Sequence, residues 1–436
     1  MKRKFYRTLL EWKENYVETP LMVVGARQIG KTYLINEFCK NEFENYIYIN
    51  LVESPNIINI FEEKISFSKK IQKLELELEK TIDIEKTIIF FDEIQESEEI
   101  ITSLKFFSEN TYKIICAGSL LGVKLNRFHS SFPVGKVRIE LMNSMDFEEF
   151  LMALSKDMWI EEIKKCYQKN KATSIHEQLL ELYRTFLCVG GMPESINEFK
   201  RVDENILRWD NRVLKNIAIS YLADMNKYTL NNKESIKNEK VYKTIPSILA
   251  KENKKFKYSE IEKGAEKRNY ESSIDWLVSA NMVYKCNLVN NVETPLKAYS
   301  QENMFKLYLN DVSLLTMLLE IGCPDIILNR PFMYKGTIAE NYVAQALFSN
   351  SLGLYYWTSS GSAEIDFLID TDDGVIPIEV KSGDNIRSQS LEMFMKKYKS
   401  KYAIRLSSRN FGFFNNIKSV PLYACFCIEG KKRIFN

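Results

Sequence analysis

Gly25-Ala26-Arg27-Gln28-Ile29-Gly30-Lys31-Thr32 is the stretch that decides the fold. It satisfies the spacing GxxxxGK[ST]. An apolar run, residues 21–24, precedes it and a helical pattern, residues 33–39, follows, which is the context the spacing requires. Gly25 and Gly30 let the backbone curl until its N–H groups point at phosphate oxygens. The helix start adds the positive end of its dipole. Lys31 supplies a mobile positive charge to the β- and γ-phosphates, and the Thr32 hydroxyl suits Mg²⁺. Gly25, Arg27, Gln28, Ile29, Gly30, Lys31 and Thr32 are therefore the expected nucleotide contacts, with ATP and Mg²⁺ as the implied cofactors. A glycine turn with a fortuitous Lys-Thr is the competing reading, and the strand and helix flanks argue against it.

Around this loop, apolar runs at residues 21–24, 46–51, 87–91, 112–117 and 137–141 alternate with helical stretches. That alternation predicts a parallel sheet covered on both faces. Runs 21–24 and 87–91 are apolar almost throughout, as buried parallel strands are. The run Ile88-Ile89-Phe90-Phe91-Asp92-Glu93 delivers two carboxylates at a strand's C-terminal end, where open parallel sheets bind ligands. Asp92 is expected on Mg²⁺ and Glu93 on the attacking water, with Lys31 and Glu93 as the catalytic pair. Ser119, after the next strand, is either a plain turn serine or a polar group facing the γ-phosphate. The charged stretch 61–86 reads as a solvated helix or hairpin.

The chain has 436 residues, enough for two to four domains at roughly 100–200 residues each. Its 60 basic and 58 acidic residues leave a net charge of +2, so no global field advertises a nucleic-acid partner. With two histidines and eight scattered cysteines, none in a CxxC pair, a zinc site is not expected. Cys425 and Cys427 read as lying on one strand. Reduced thiols, the lack of a signal-peptide pattern in residues 1–14 and the lack of any apolar run of ~18 residues give the expectation of a cytoplasmic protein without a membrane partner.

Further motifs carry a resemblance. The Gly25–Thr32 run, Phe91-Asp92-Glu93-Ile94-Gln95, Ala117-Gly118-Ser119-Leu120-Leu121-Gly122, Met145-Asp146-Phe147-Glu148-Glu149-Phe150-Leu151 and Gly190-Gly191-Met192-Pro193-Glu194 resemble the prokaryotic AAA-type P-loop ATPases that carry a C-terminal domain of unknown function. The chain departs from that pattern at Ser144, where Pro is usual, and at Lys136, where Arg is usual. A lysine lacks the bidentate fork of arginine. The resemblance implies an α/β fold in four parts: an AAA-like P-loop ATPase domain (1–150), a helical lid (151–235), a winged-helix domain (236–325) and a nuclease-like domain (326–436). It also implies that Pro193 packs near the adenine and sugar; a simple helix break is the other reading of that turn. Arg127, Arg138 and Arg184 are equal candidates for a finger arginine, and Arg27 more naturally braces the loop.

In the middle region, helices at residues 242–250, from 257 and from 269, then strand 282–288 with 297–299 pairing to it, read as a winged helix. The basic segments 251–257 and 263–268 would flank a DNA groove. Residues 305–311 read as core without identifiable chemistry. In the last hundred residues, Asp366 on one strand and Glu379-x-Lys381 on the next, with Glu340 on a preceding helix, resemble the PD-(D/E)xK nuclease pattern. Asp366, Glu379 and Glu340 would hold a second divalent metal, and Lys381 would orient water. An exposed sheet face with cross-strand ion pairs is the alternative.

Two functions follow. One is an ATPase that couples nucleotide state to a DNA-binding, nuclease-like C-terminal region. The other is a nucleotide switch whose C-terminal domains bind a protein partner without cutting DNA. A third arrangement, an oligomer with an arginine supplied in trans, stays open.

Overall fold

The computed structural model describes residues 1–119, 133, 135–227, 232–359, 363–383 and 389–431. The chain divides into two compact units. One comprises residues 2–143 with 279–281, and the other residues 144–278 and 282–436 with Met1.

The N-terminal unit is a five-stranded parallel sheet. Its strands are β1 (Leu21–Gly25), β2 (Asn45–Asn50), β3 (Thr87–Asp92), β4 (Lys113–Ser119) and β5 (Arg138–Leu141), in the order β2-β3-β4-β1-β5. The central strands β1 and β3 are buried at every position, whereas the edges β2 and β5 alternate buried or half-buried positions with exposed ones. Continuous apolar runs thus mark strands covered on both faces, and alternation marks the margins. The charged stretch holds a helix, Phe67–Leu78. Ile71 and Leu74 enter the core beside Phe61 and Phe107, and Leu76 points outward. Helical spacing lets a sequence rich in Glu and Lys bury one stripe. Ser97 caps the helix Glu98–Glu109 by accepting the Ile100 N–H at 3.2 Å.

The C-terminal unit opens with helices Phe147–Ala153, Asp157–Lys169, His176–Val189, Pro193–Arg201, Arg212–Lys227 and Asn232–Leu249. An eight-stranded mixed sheet follows. It is built from β6 (Val283–Val289), β7 (Ser300–Leu309), β8 (Tyr355–Thr358), β9 (Glu364–Thr371), β10 (Gly374–Val380), β11 (Ala403–Ser407), β12 (Gly412–Phe414) and β13 (Ile417–Pro421), in the order β12-β13-β11-β10-β9-β8-β6-β7. The helix Lys335–Ser349 packs on β7 and β10 and is buried from Thr337 to Leu347.

Four local expectations are corrected. The helix from residue 257 is a single 3-10 turn, Tyr258–Glu260, because Gly264 at φ +81° breaks the path before the next helix begins at Lys267. Residues 297–299 belong to another 3-10 turn, Leu296–Tyr299; β7 is the true partner of β6. Cys425 and Cys427 lie on a 3-10 helix, Leu422–Cys427, not on a strand. A short, continuously buried run gives no periodicity to tell these apart. Finally, β6 pairs in parallel with β8, so the hairpin expected as a free wing is one margin of a sheet that runs through residues assigned to two domains.

Candidate functional site

β1 ends in the glycine-rich loop. A Cβ on Gly25 would lie 2.2 Å from the Met142 carbonyl oxygen, and φ there is +156°, so only glycine fits. Gln28 (φ +61°) and Gly30 (φ +88°) turn the loop left-handed before the helix Lys31–Glu42 begins. The Lys31 ammonium donates to Gly25 O at 3.1 Å and Ala26 O at 2.7 Å, which lays its charge along the loop. Arg3 braces the loop: its guanidinium donates to Ile29 O at 2.7 Å and Asn143 O at 2.6 Å and is nearly buried. No motif marks Arg3, because its partners are backbone carbonyls distant in the chain.

The C-terminal end of β3 faces this helix start. Asp92, 5% exposed, accepts hydrogen bonds from Tyr48 Oη at 3.0 Å and from the Glu93 N–H at 3.0 Å, and the Thr32 hydroxyl lies near it. Burial nevertheless pushes the Asp92 carboxyl upward, with Glu93 adding to the rise. A hydroxyl and a carboxylate side by side are the oxygen donors a hard cation takes, so these residues fit Mg²⁺. Glu93 is held at φ +54°, and its carboxylate accepts a hydrogen bond from Gln95 Nε2. A Cβ on Gly118 would lie 2.7 Å from Gln95 Oε1; that glycine leaves the room in which Gln95 orients Glu93. Ser119 pairs with Gly25 in the β1–β4 ladder, which sets its backbone beside the loop. Its side chain, with Leu120, Leu121, Gly122 and Arg127, lies outside the described residues.

The Gly190-Gly191 turn is explained within its own unit. Gly191 N donates to Asp311 Oδ2 at 2.8 Å, and Met145 N donates to Gly191 O at 2.9 Å. A Cβ on Gly191 would stand 1.8 Å from the Met145 carbonyl oxygen, and one on Gly190 2.0 Å from Ser313 Oγ. Gly191→Ala should cost about 3 kcal/mol, read as a lower urea midpoint for the C-terminal unit. Pro193 begins the next helix at its first turn, where a missing N–H is harmless. Ser144, in place of the usual proline, donates to Asn310 O at 2.9 Å and accepts from Gln345 Nε2 at 3.2 Å. Arg138 is engaged by Glu140 at 2.7 Å and stacks on Tyr16. Arg184 Nε is buried without a hydrogen-bond partner.

The C-terminal acidic residues are gathered differently from the expected ligand set. Lys306 on β7, which the sequence reading left without a role, is fully buried, 3.0 Å from Glu340 Oε1 and 2.6 Å from Glu364 Oε1. Tyr308 Oη donates to the same Glu340 oxygen, and Lys254 pairs with the other. Burial alone would raise Glu340, but Lys306 and Lys254 hold it well below the usual carboxylate range. Burial alone would lower Lys306; Glu340, Glu364 and Asp366 outweigh it and keep the ammonium charged. Asp366 accepts the Val380 N–H at 2.8 Å, and burial, then Glu340, push its carboxyl upward. Glu379 turns to Lys381 at 3.2 Å and Arg405 at 3.9 Å, and its Oε2 accepts no hydrogen bond. Among the described residues no group of three or more His, Cys, Asp or Glu side chains is arranged to hold a metal ion. Glu340, Asp366 and Glu379 are thus not brought into one ligand set. A lysine in the buried second half of β7 was the available signal: Lys306 and Tyr308, two apart, share a face.

The glycine-rich loop, the carboxylate at the end of β3 and the parallel sheet give the N-terminal unit the arrangement of a P-loop domain. Residues 17–151 match the family model described as AAA domain. Residues 180–325 and 335–425 match two domains of unknown function, DUF8612 and DUF4143. Solved structures with similarity include a Walker-type ATPase of Pyrococcus abyssi, at 16% identity over 73% of this chain and 95% of that one, TM-score 0.42. Another is a signal transduction ATPase with numerous domains and a tetratricopeptide repeat sensor from Pyrococcus horikoshii, at 15% identity over 80% of this chain and 45% of that one, TM-score 0.27. A third is the Drosophila ORC bound to DNA, at 14% identity over 72% and 94%, TM-score 0.26. No curated protein matches the chain. No helix among the described residues is long and apolar enough to cross a membrane.

Proposed function

We propose that the chain binds and hydrolyses ATP with Mg²⁺ and uses nucleotide state to set what its C-terminal region binds. The observation that carries the first half is the placement of Asp92, at the end of β3, near Thr32 at the start of the helix that follows the glycine-rich loop. In this reading the N–H groups of Gly25, Arg27, Gln28, Ile29 and Gly30 cradle the phosphates, and Lys31 moves from the loop carbonyls onto them. A Mg²⁺ ion held by Thr32 and Asp92 would withdraw charge from the phosphate oxygens. Glu93, steadied by Gln95, orients the attacking water and takes its proton. Ser119 completes the nucleotide's surroundings.

Glu93→Gln and Asp92→Asn separate these roles. The first should lower turnover about a hundredfold with ATP affinity kept. The second should make turnover insensitive to millimolar Mg²⁺. Equal ATPase rates in both variants and the parent would remove the hydrolysis reading.

For the C-terminal region, a nuclease-like role on DNA and a protein-binding switch compete. Charge pairing favours the switch. In the basic segments expected on phosphates, Lys251 pairs with Glu260, Lys254 with Glu340, Lys267 with Glu271 and Arg268 with Glu266. Each such pair must be broken before its cation meets a phosphate. DNA affinity that falls steeply between 50 and 200 mM salt would restore the DNA reading. Sedimentation with and without ATP tests whether an arginine arrives from a second copy.

A further inference from the structure

The acidic pocket of the C-terminal sheet holds a cation that belongs to the chain. We infer that Lys306 occupies the place a divalent metal would take between Glu340 and Glu364, so that the native pocket takes no divalent ion and becomes a metal site only when that ammonium is removed. This reading is independent of the nucleotide site.

Three observations carry it. First, the Lys306 ammonium is fully buried and lies between two carboxylates, 3.0 Å from Glu340 and 2.6 Å from Glu364. Asp366, on β9, adds a charge interaction, and the Tyr356 ring lies 5.1 Å away. Second, the charges are already matched. Glu340 is served by two lysines, Lys306 on one oxygen and Lys254 on the other, which together bring the charge of one divalent ion. A metal entering beside them would face two fixed positive charges at close range, a repulsion that low dielectric strengthens. Third, the geometry suits an ammonium. Its hydrogen bonds hold oxygens at 2.6 and 3.0 Å, whereas a hard cation draws them to roughly 2.0–2.5 Å and needs several on one centre. Glu379, the remaining expected ligand, faces Lys381 at 3.2 Å and Arg405 at 3.9 Å instead.

The chemistry then separates two properties that the sequence pattern joins. The sheet keeps the carboxylates that the sequence pattern marks, while a tethered ammonium, which carries no exchangeable water, cannot generate hydroxide. Breaking the pair strands a charge: truncating Lys306 leaves Glu340 and Glu364 facing each other, and a divalent ion is the simplest relief.

The test is Mn²⁺ titration of the full-length protein without nucleotide. Free Mn²⁺ is read by electron paramagnetic resonance and stability by thermal midpoint. Four proteins are compared: the parent, Asp366→Asn, Lys306→Ala, and Lys306→Ala with Asp366→Asn. Any binding at the glycine-rich loop is common to all and cancels. Parent and Asp366→Asn should bind the same amount of Mn²⁺. Lys306→Ala should bind one additional ion at least about tenfold more tightly than the parent binds any ion lost with Asp366. The double variant should lose it. A parent that binds a Mn²⁺ ion removed by Asp366→Asn overturns the inference, and that arm needs no Lys306 variant. A folded Lys306→Ala that takes up no extra ion overturns it as well. Lys306→Met, which keeps the volume and drops the charge, replaces the alanine variant should that fail to fold, and is read by the same two outcomes.

Discussion

Lys31→Ala is expected to lower the proposed ATP turnover by about three orders of magnitude while leaving the thermal midpoint nearly unchanged. The size follows from what the ammonium does. It is the mobile point charge in the loop, 2.7 Å from Ala26 O and 3.1 Å from Gly25 O, close enough to transfer to phosphate oxygens by rotating its own stem. Backbone N–H groups contribute partial charges, and none of them replaces a full one as charge develops on the leaving oxygen. Stability is spared because the two carbonyls that lose their donor are loop groups, while the loop stays anchored by Arg3 on Ile29 O. Lys31→Arg should not rescue, since a planar fork is longer and needs paired acceptors. Phosphate release and binding of a fluorescent ATP analogue are the measurements. Turnover within a few-fold of the parent would end the proposed mechanism.

Asp311→Ala is expected to cost about 4 kcal/mol, the largest stability effect of any single polar residue considered. Asp311 is fully buried and accepts from the Ser313 N–H at 3.0 Å, Ser313 Oγ at 2.6 Å and the Gly191 N–H at 2.8 Å. It caps the helix Val312–Leu318, and Gln345 Nε2 lies 3.4 Å from its second oxygen. Truncation removes the cap and leaves these donors buried without partners, each at the full desolvation penalty. Burial raises the Asp311 carboxyl, and Ser313, then the Gly191 and Ser313 backbone, bring it partway back. Asp311→Asn keeps the shape and one acceptor, so its cost should be near half. Urea midpoints of the two variants check the order. A midpoint for Asp311→Ala equal to the parent's would mean that the Gly190-Gly191 turn is held by packing alone.

The two ends of the chain differ in how much could be read beforehand. In the N-terminal unit all five strands lie within a residue or two of the expected runs. Buried parallel strands are continuous in apolar residues, and the loop's glycines and Lys-Thr sit at fixed spacing on consecutive residues. The position of Asp92 and Glu93 was legible because a strand end is a place the sequence itself marks. Arg3 and Gln95 were not read in their roles, since each acts on a group whose position depends on the folded chain.

Farther along, the pattern of Asp366, Glu379 and Lys381 was visible, and the cation that answers it was not. Lys306 lies on β7, and β7 reaches this sheet only because β6 pairs with β8. Lys254, read as a cation for phosphates, spends its charge on Glu340. Charge run and pairing partner are separate facts, and only the second decides whether a lysine is available.

The amino-acid sequence by itself determined the loop, the parallel strands beneath it and the residue types able to bind phosphate and Mg²⁺, because those depend on neighbours along the chain and on a period of two or 3.6 residues. Only the tertiary structure decided which charges neutralise one another. Ion pairing acts across space with a strength set by burial, and residues 254, 306, 340 and 364 meet through a sheet order that no local pattern encodes.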